Sequence, residues 1–463
     1  MLLTFIFIYL LGTVLVGWFA SKFVKTASDF AIAGRRMPTY VVASGLFATW
    51  FGSETVMGAS SEFVQNGLLG VIEDPFGASL CLLLIGLFFA RPLYKLNILT
   101  FSDYFRIRYG NSLEWISALF LIPSYFSWIA AQLVALAIVL QAIAGIPFVY
   151  GVLICASVVV FYTYVGGMWS VSITDTIQTA IIIVGMLILM LELWGKIGGW
   201  GELINKTPTG FFRLVPKEHS FSSWITYFAA WITIGWGSIP QQDIFQRVLS
   251  AKSEKVAVRG AYWSAFMYMS VACMPLVIAL CGSLLYPDIK AGDTQMAIPF
   301  LVLHHAGLGI QILFFGALLS AILSTCSGAV LAPATVVGEN LLKPLYGHKL
   351  SDKRLLQIMR LSVIGITMVS VVLSLNKSEI YELVGESSAV SLVALFVPLA
   401  SGLYWKRASA LGALLSMVMG MTVWLTLQFY PTDTPGIIYG LLASITGMLV
   451  GSFIKPNDKL PVG

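Results

Sequence analysis

Charge is what this chain has least of: Asp, Glu, Lys and Arg make up 11% of its 463 residues, against roughly 25% in soluble domains. Water is therefore not its main solvent, and a soluble enzyme or nucleic-acid-binding domain is excluded. Long polar stretches are also missing, so there is no room for an appended catalytic module. Cysteine is scarce and unpatterned. Cys81, Cys155, Cys273, Cys281 and Cys326 lie in apolar runs, are odd in number and lack CxxC spacing, so they read as buried thiols. His219, His304, His305 and His348 join no HExxH pattern, and neither a metal centre nor an organic cofactor is expected. No basic residue precedes the first apolar run, which reads as a retained span and not a cleaved leader.

Apolar residues dominate instead, at 58% of the chain and a mean hydropathy of +0.87. Apolar runs fall near 2–20, 39–66, 70–90, 113–143, 148–166, 171–195, 222–246, 260–286, 308–335, 356–375, 380–404, 408–430 and 436–454. Each is long enough to cross a bilayer, which takes about 20 residues as a helix. The expectation is an all-α integral membrane protein of about 13 transmembrane helices, with residues 1–463 forming a single domain.

Lys and Arg set its orientation. With the N-terminus outside, 21 of the 27 fall in cytoplasmic segments, beginning with Lys22, Lys25, Arg35 and Arg36 and ending with Lys455 and Lys459. Lys196, Lys206, Arg213, Lys217, Lys290 and Lys377 remain outside. One missed span would invert every later loop, so the net charge of +5 is a topology signal and not a nucleic-acid surface. A multi-pass protein of the cell membrane is expected, with its C-terminus in the cytoplasm and the lipid bilayer as its main partner.

Two spans carry helix-disrupting sequence near their middles. One is Ala48-Thr49-Trp50-Phe51-Gly52-Ser53 and the other Gly235-Trp236-Gly237-Ser238-Ile239-Pro240, where proline removes a donor and glycine loosens the backbone. They are the second and seventh spans, five apart. Such a pair points to an inverted-repeat transporter with its sites at the unwound segments.

Several separate stretches resemble the sodium:solute symporter family. They are Thr100 to Gly110, closing in Arg-Tyr-Gly; Tyr164-Val165-Gly166-Gly167-Met168-Trp169-Ser170 with Thr174-Asp175-Thr176-Ile177-Gln178; Phe245-Gln246-Arg247; and Pro398 to Arg407. The resemblance implies a LeuT-type fold of five plus five inverted helices. Residues 39–195 would form the first repeat and 222–404 the second, with an extra N-terminal helix in 1–38 and two extra C-terminal helices in 405–463. It also implies a transporter rather than an enzyme, coupling a small organic solute to Na+ by alternating access, for which a monomer suffices.

By the same resemblance, Ala321-Ile322-Leu323-Ser324-Thr325 matches the family's sodium site. Ala321 would give its carbonyl, Ser324 and Thr325 their hydroxyls, and Ala48 and Phe51 the carbonyls of the unwound second span. Read without the family, Ser324 and Thr325 could equally bond back to their own helix. Asp175 matches a position on the sodium exit path or near a second ion site, or else caps a helix after the Gly-Gly turn.

Acidic residues in spans need partners and are candidates by default. Glu54, directly after the first break, is expected to face the central cavity, whereas Glu73 and Asp74 can cap the third span in water. Trp50 and Trp128 resemble the choline-transporting branch and suit an organic cation, since an indole face attracts one by about 2 kcal/mol when desolvated. Gln241 stands where that branch has a further tryptophan. Solute is accordingly expected at Trp50, Glu54, Trp128 and Gln241. Two other readings remain: a transporter-like sensor without net transport, and proton coupling through Asp175 or Glu386.

Overall fold

The computed structural model describes residues 2–218, 220–286, 294–346, 350–376, 379–430 and 432–456; His219, His348, Lys290, Lys349, Lys377 and Lys459 lie outside them. Helices account for nearly all of it. In hydrocarbon every backbone donor and acceptor must be satisfied within its own segment, and helix formation does so. Among the described residues the single β contact is an isolated bridge between Met37 and Ala251. Among the described residues nine helices are long and apolar enough to cross a membrane. Every apolar run read from the sequence lies in helix, but not as thirteen separate rods. The fifth and sixth runs belong to one helical stretch, Phe148–Ile197, and the second and seventh are each divided.

At about 1.5 Å per residue, 50 residues of helix measure roughly 75 Å, more than twice the hydrocarbon thickness. Gly167, with φ 51° and ψ −155°, breaks that stretch at the Gly-Gly pair. A β-carbon there would stand 2.5 Å from the Phe30 ring and 2.8 Å from the Phe30 carbonyl oxygen, so both its conformation and its packing require glycine.

The second apolar run holds helix Thr39–Ala48, turns over 49–52, a π-helical segment Glu54–Ala59 and helix Ser60–Asn66. In the seventh, Phe221–Gly237 ends at Ser238, and Gln242–Ser250 starts after an extended Gln241. Helix Leu308–Val336 is buried without interruption from Phe314 to Val336 and packs chiefly on Phe148–Ile197 and Asn111–Ala144, which makes it the central strut. The final pair, Ala410–Phe429 and Gly436–Ile454, pack mainly on each other and leave Leu425, Leu442, Leu449 and Phe453 exposed on the outer surface.

Two of the resemblance motifs clasp one another. Phe101–Tyr109 begins with a capping box between Thr100 and Asp103. The Tyr104 and Tyr109 hydroxyls donate to the carbonyls of Leu399 (3.1 Å) and Pro398 (2.7 Å), and Arg108 Nε donates to that of Gly402 (2.9 Å). The Arg-Tyr-Gly segment thus satisfies carbonyls at the end of the helix that carries Leu-Tyr-Trp-Lys-Arg. Four of the cysteines are buried as expected; Cys273 is only partly so.

Candidate functional site at the two helix breaks

The first break and the central strut meet directly. Thr325 Oγ1 donates to the Ala48 carbonyl oxygen at 2.8 Å, across 277 residues of chain. Gly52 lies at this contact, where an added β-carbon would stand in ordinary van der Waals range, 3.7 Å from both Ile322 Cα and Thr325 Oγ1. Phe51 sits in the turn with its ring stacked on Phe47 at 4.6 Å. Ala321, one turn before Thr325, is buried in the same strut. Neither hydroxyl of the Ser-Thr pair faces lipid.

Ser324 points elsewhere. Its hydroxyl donates to Asp175 Oδ1 at 2.5 Å and lies 3.3 Å from Thr174 Oγ1, which in turn bonds the Tyr162 hydroxyl at 2.6 Å. Consecutive residues on a helix project about 100° apart. The pair therefore divides, Thr325 toward the broken second span and Ser324 toward Phe148–Ile197. Asp175 stands eight residues into the helix beyond Gly167, too far to cap it.

The second oxygen of Asp175 accepts from Arg247 Nη2 at 3.3 Å. Arg247 Nη1 lies 3.8 Å from Asp243 Oδ2 and donates to the Asp243 carbonyl at 3.3 Å. Tyr125 closes the chain: its hydroxyl donates to Asp243 Oδ1 at 2.6 Å and accepts from the Asp243 backbone N–H at 3.0 Å. Gly328 makes room for the guanidinium, since a β-carbon there would come within 2.9 Å of Nη2. Arg247, counted above among the cytoplasmic charges, is 2% exposed. Its position at the end of an apolar run predicts a solvated loop charge, and its burial against two acids corrects that expectation. The signal was the spacing Asp243-x-x-x-Arg247, an i,i+4 pair on one helix face.

Around the breaks lie the four residues expected to meet solute. Trp50 and Trp128 are each 2% exposed. Trp50 meets Tyr268 edge to face at 6.0 Å, and Trp128 lies 5.8 Å from Tyr125. Gln241 Nε2 reaches Ser387 Oγ at 3.5 Å, leaving its Oε1 without a hydrogen bond among the described residues. Glu54 is fully buried, and neither of its carboxylate oxygens has a hydrogen-bond partner among them.

Tyr268 and Gln132 add to this set, and nothing in their local sequence singled them out. The Tyr268 hydroxyl bonds Asp74 Oδ1 at 2.7 Å and Thr55 Oγ1 at 2.5 Å. Asp74 is buried, so it does not cap a helix in water as the sequence suggested. Ser53 Oγ donates to Gln132 Oε1 at 2.7 Å, and neither Gln132 Nε2 nor Trp128 Nε1 has a hydrogen-bond partner among the described residues. Four carboxylates are thus buried near the two breaks, Glu54, Asp74, Asp175 and Asp243, and the Arg247 guanidinium lies against the last two. Only Asp175 and Asp243 have salt bridges among the described residues. An arrangement so rich in acidic and hydroxyl oxygen can hold cations.

Comparison with known proteins gives a consistent picture. The Sodium:solute symporter family matches residues 30–420. The chain is 25% identical over 433 residues to the High-affinity choline transporter 1 of Drosophila melanogaster, covering 90% of this chain and 69% of that one. It is 28% identical over 473 residues to the osmoregulated proline transporter OpuE of Bacillus subtilis, covering 98% and 94%. A solved structure of a sodium-coupled sialic acid symporter, in a substrate-bound outward-open state, superposes with a TM-score of 0.85 at 20% identity, over 99% and 98% of the two chains.

Proposed function

The chain belongs to the sodium:solute symporter family, and from that premise we propose that it imports a small organic cation by binding sodium where its first broken span meets the central strut. The observation that carries this reading is the bond between Thr325 and the Ala48 carbonyl. It joins oxygens from two distant helices in a dry place, as a dehydrated monovalent cation requires. Sodium there takes the carbonyls of Ala48, Phe51 and Ala321 and the hydroxyls of Ser324 and Thr325. It ties the second span to the ninth and favours the outward-open state; Asp175 lies on its way out. The proposed architecture is two five-helix repeats, 39–195 and 222–404, with the N-terminus outside.

The class of solute follows from charge. In transporters with interrupted helices, the positive end of a half-helix dipole serves as a site for anionic groups. Here the first turn after each break carries an acid of the chain's own, Glu54 in one and Asp243 in the other. An anionic solute would meet repulsion at both. Asp243 is matched by Arg247, whereas Glu54 has no salt bridge among the described residues. A cationic nitrogen against Glu54 and the Trp50 face removes that imbalance, and the free donors of Gln132 and Trp128 suit a hydroxyl or carbonyl on the same solute. Choline and proline, the solutes in the two relatives' names, both carry a positive nitrogen.

Purified protein tests this by thermal shift against choline, ethanolamine, proline and pantothenate, each with sodium or with potassium, followed by uptake into proteoliposomes. Stabilisation by a cationic solute that needs sodium supports the reading. Stabilisation by pantothenate alone would overturn the assignment of solute, and uptake driven by a pH gradient without sodium would overturn the coupling.

A further inference from the structure

Away from the breaks, at the end of the molecule where Arg106, Arg108 and Lys455 gather, lies a cavity of about 530 Å³. Its polar wall is Arg106, Arg108, Gly110, Ser409 and Lys455, and its apolar wall includes Leu113, Leu411 and Leu414. We propose that this cavity binds the phosphate of an anionic phospholipid headgroup in the adjoining leaflet.

Three independent features point to an anion. Two long helices start at the cavity: Asn111–Ala144, whose N-cap Gly110 offers no side chain to its amides, and Ala410–Phe429, capped by Ser409. Each presents the positive end of its dipole to a ligand. Arg108 in the wall is 2% exposed. Its Nε and Nη2 donate to the carbonyls of Gly402, Trp405 and Lys406, and its Nη1 has no partner among the described residues. Neither Arg108 nor Lys455 has a salt bridge among them. The acids beneath the cavity are already engaged: Asp103 and Glu114 accept from Asn340 Nδ2 at 3.1 and 2.8 Å, and Arg106 pairs with Asp103 at 3.2 Å. Positive charge is left over on the cavity side.

Position points to lipid as the source of that anion. Lys455 directly follows the last helix, whose final residue Ile454 is 69% exposed and apolar. The cavity mouth therefore lies at the boundary between hydrocarbon and water. Ile107, exposed beside it, and the leucines of the wall give an acyl chain somewhere to lie. Basic pockets between spans on the positively charged side of a membrane protein suit such headgroups.

Native mass spectrometry and thermal shift on the full chain, exchanged into phosphatidylglycerol or phosphatidylcholine, test the proposal, with Lys455→Glu and the cavity-filling Leu411→Trp as variants. Phosphatidylglycerol is expected to be retained by the unaltered protein in preference to phosphatidylcholine. Lys455→Glu should weaken that retention roughly tenfold or more by reversing a charge at the mouth, and Leu411→Trp should abolish it. Equal retention of the two lipids, or an undiminished preference in both variants, would overturn the site. Sodium phosphate at matched ionic strength separates the two sources of phosphate: if it stabilises the protein as well as phosphatidylglycerol does and displaces it, the lipid assignment fails.

Discussion

Replacing Thr325 with valine removes one hydroxyl while keeping the branched shape that packs against Gly52. The wild-type hydroxyl donates to the Ala48 carbonyl at 2.8 Å in a region closed to water. Two effects then oppose each other. Losing an oxygen that faces a charged ion costs about 1.5–3 kcal/mol, the range for hydrogen bonds to charged groups. Sodium binding in the wild type must also redirect the Thr325 proton away from Ala48, and the variant is spared that step, a saving of about 0.5–1.5 kcal/mol for a neutral hydrogen bond. The ion term is the larger, leaving a net loss of about 1–2 kcal/mol, or about a 5- to 30-fold rise in half-saturating sodium. The assay is sodium titration of thermal stability in purified protein, repeated as sodium-dependent uptake once a solute is known. Thr325→Ser restores the donor and should fall within about threefold of wild type by the same arithmetic. A Thr325→Val protein that folds normally and titrates with sodium as the wild type does would refute the placement of the ion.

Three further outcomes are expected. Glu54→Gln should weaken binding of the cationic solute by about 30-fold or more, from the roughly 2–5 kcal/mol lost with a buried charge partner, and leave sodium stabilisation within about twofold; isothermal titration of solute at fixed sodium checks the first and sodium titration of thermal stability the second. Asp175→Asn leaves Arg247 with Asp243 alone, so unfolding should cost about 2–4 kcal/mol less than in the wild type, toward the lower part of the range for breaking a buried pair, as read by chemical denaturation in detergent. Gly167→Ala forces a β-carbon to within 2.5 Å of the Phe30 ring at positive φ; it should lower the melting temperature and the folded yield on size-exclusion chromatography, whereas Gly195→Ala, which meets open space, should not.

Much of this architecture can be read in the sequence because lipid imposes so simple a rule. A run of about 20 apolar residues must be helix, and the apolar runs are helical here. Breaks were legible for the same reason, since Gly237 and Pro240 cannot sit in a regular helix without consequence. What escaped was long-range polar pairing. Ser324 and Thr325 are adjacent and chemically alike, yet one bonds helix Phe148–Ile197 and the other the second span; only the rotation of the strut decides which. Arg247 reads as a loop charge because it follows an apolar run. Charge at the end of a run is ordinarily solvated, and the acids that bury this one lie 4 and 72 residues away. Tyr268 is one of 18 tyrosines, with nothing nearby in the sequence to mark it as the partner of Asp74.

Arg247 also gives the two breaks a physical link. Its guanidinium bridges Asp175, which holds Ser324, and Asp243, which opens the helix after the second break and is held by Tyr125. On the proposed reading, sodium takes a lone pair of the Ser324 oxygen while its O–H still donates to Asp175, and the polarised O–H holds that carboxylate more strongly. Asp175 is then drawn less strongly to Arg247, and Arg247 correspondingly more to Asp243, whose contact with it is long at 3.8 Å. Interior charges interact strongly because little water screens them, so a change in one pairing alters the other without any large movement. Tyr125 stands beside Trp128 on the same helix. The ion at the first break can thus bias the helix that follows the second, through one buried cation shared by two acids.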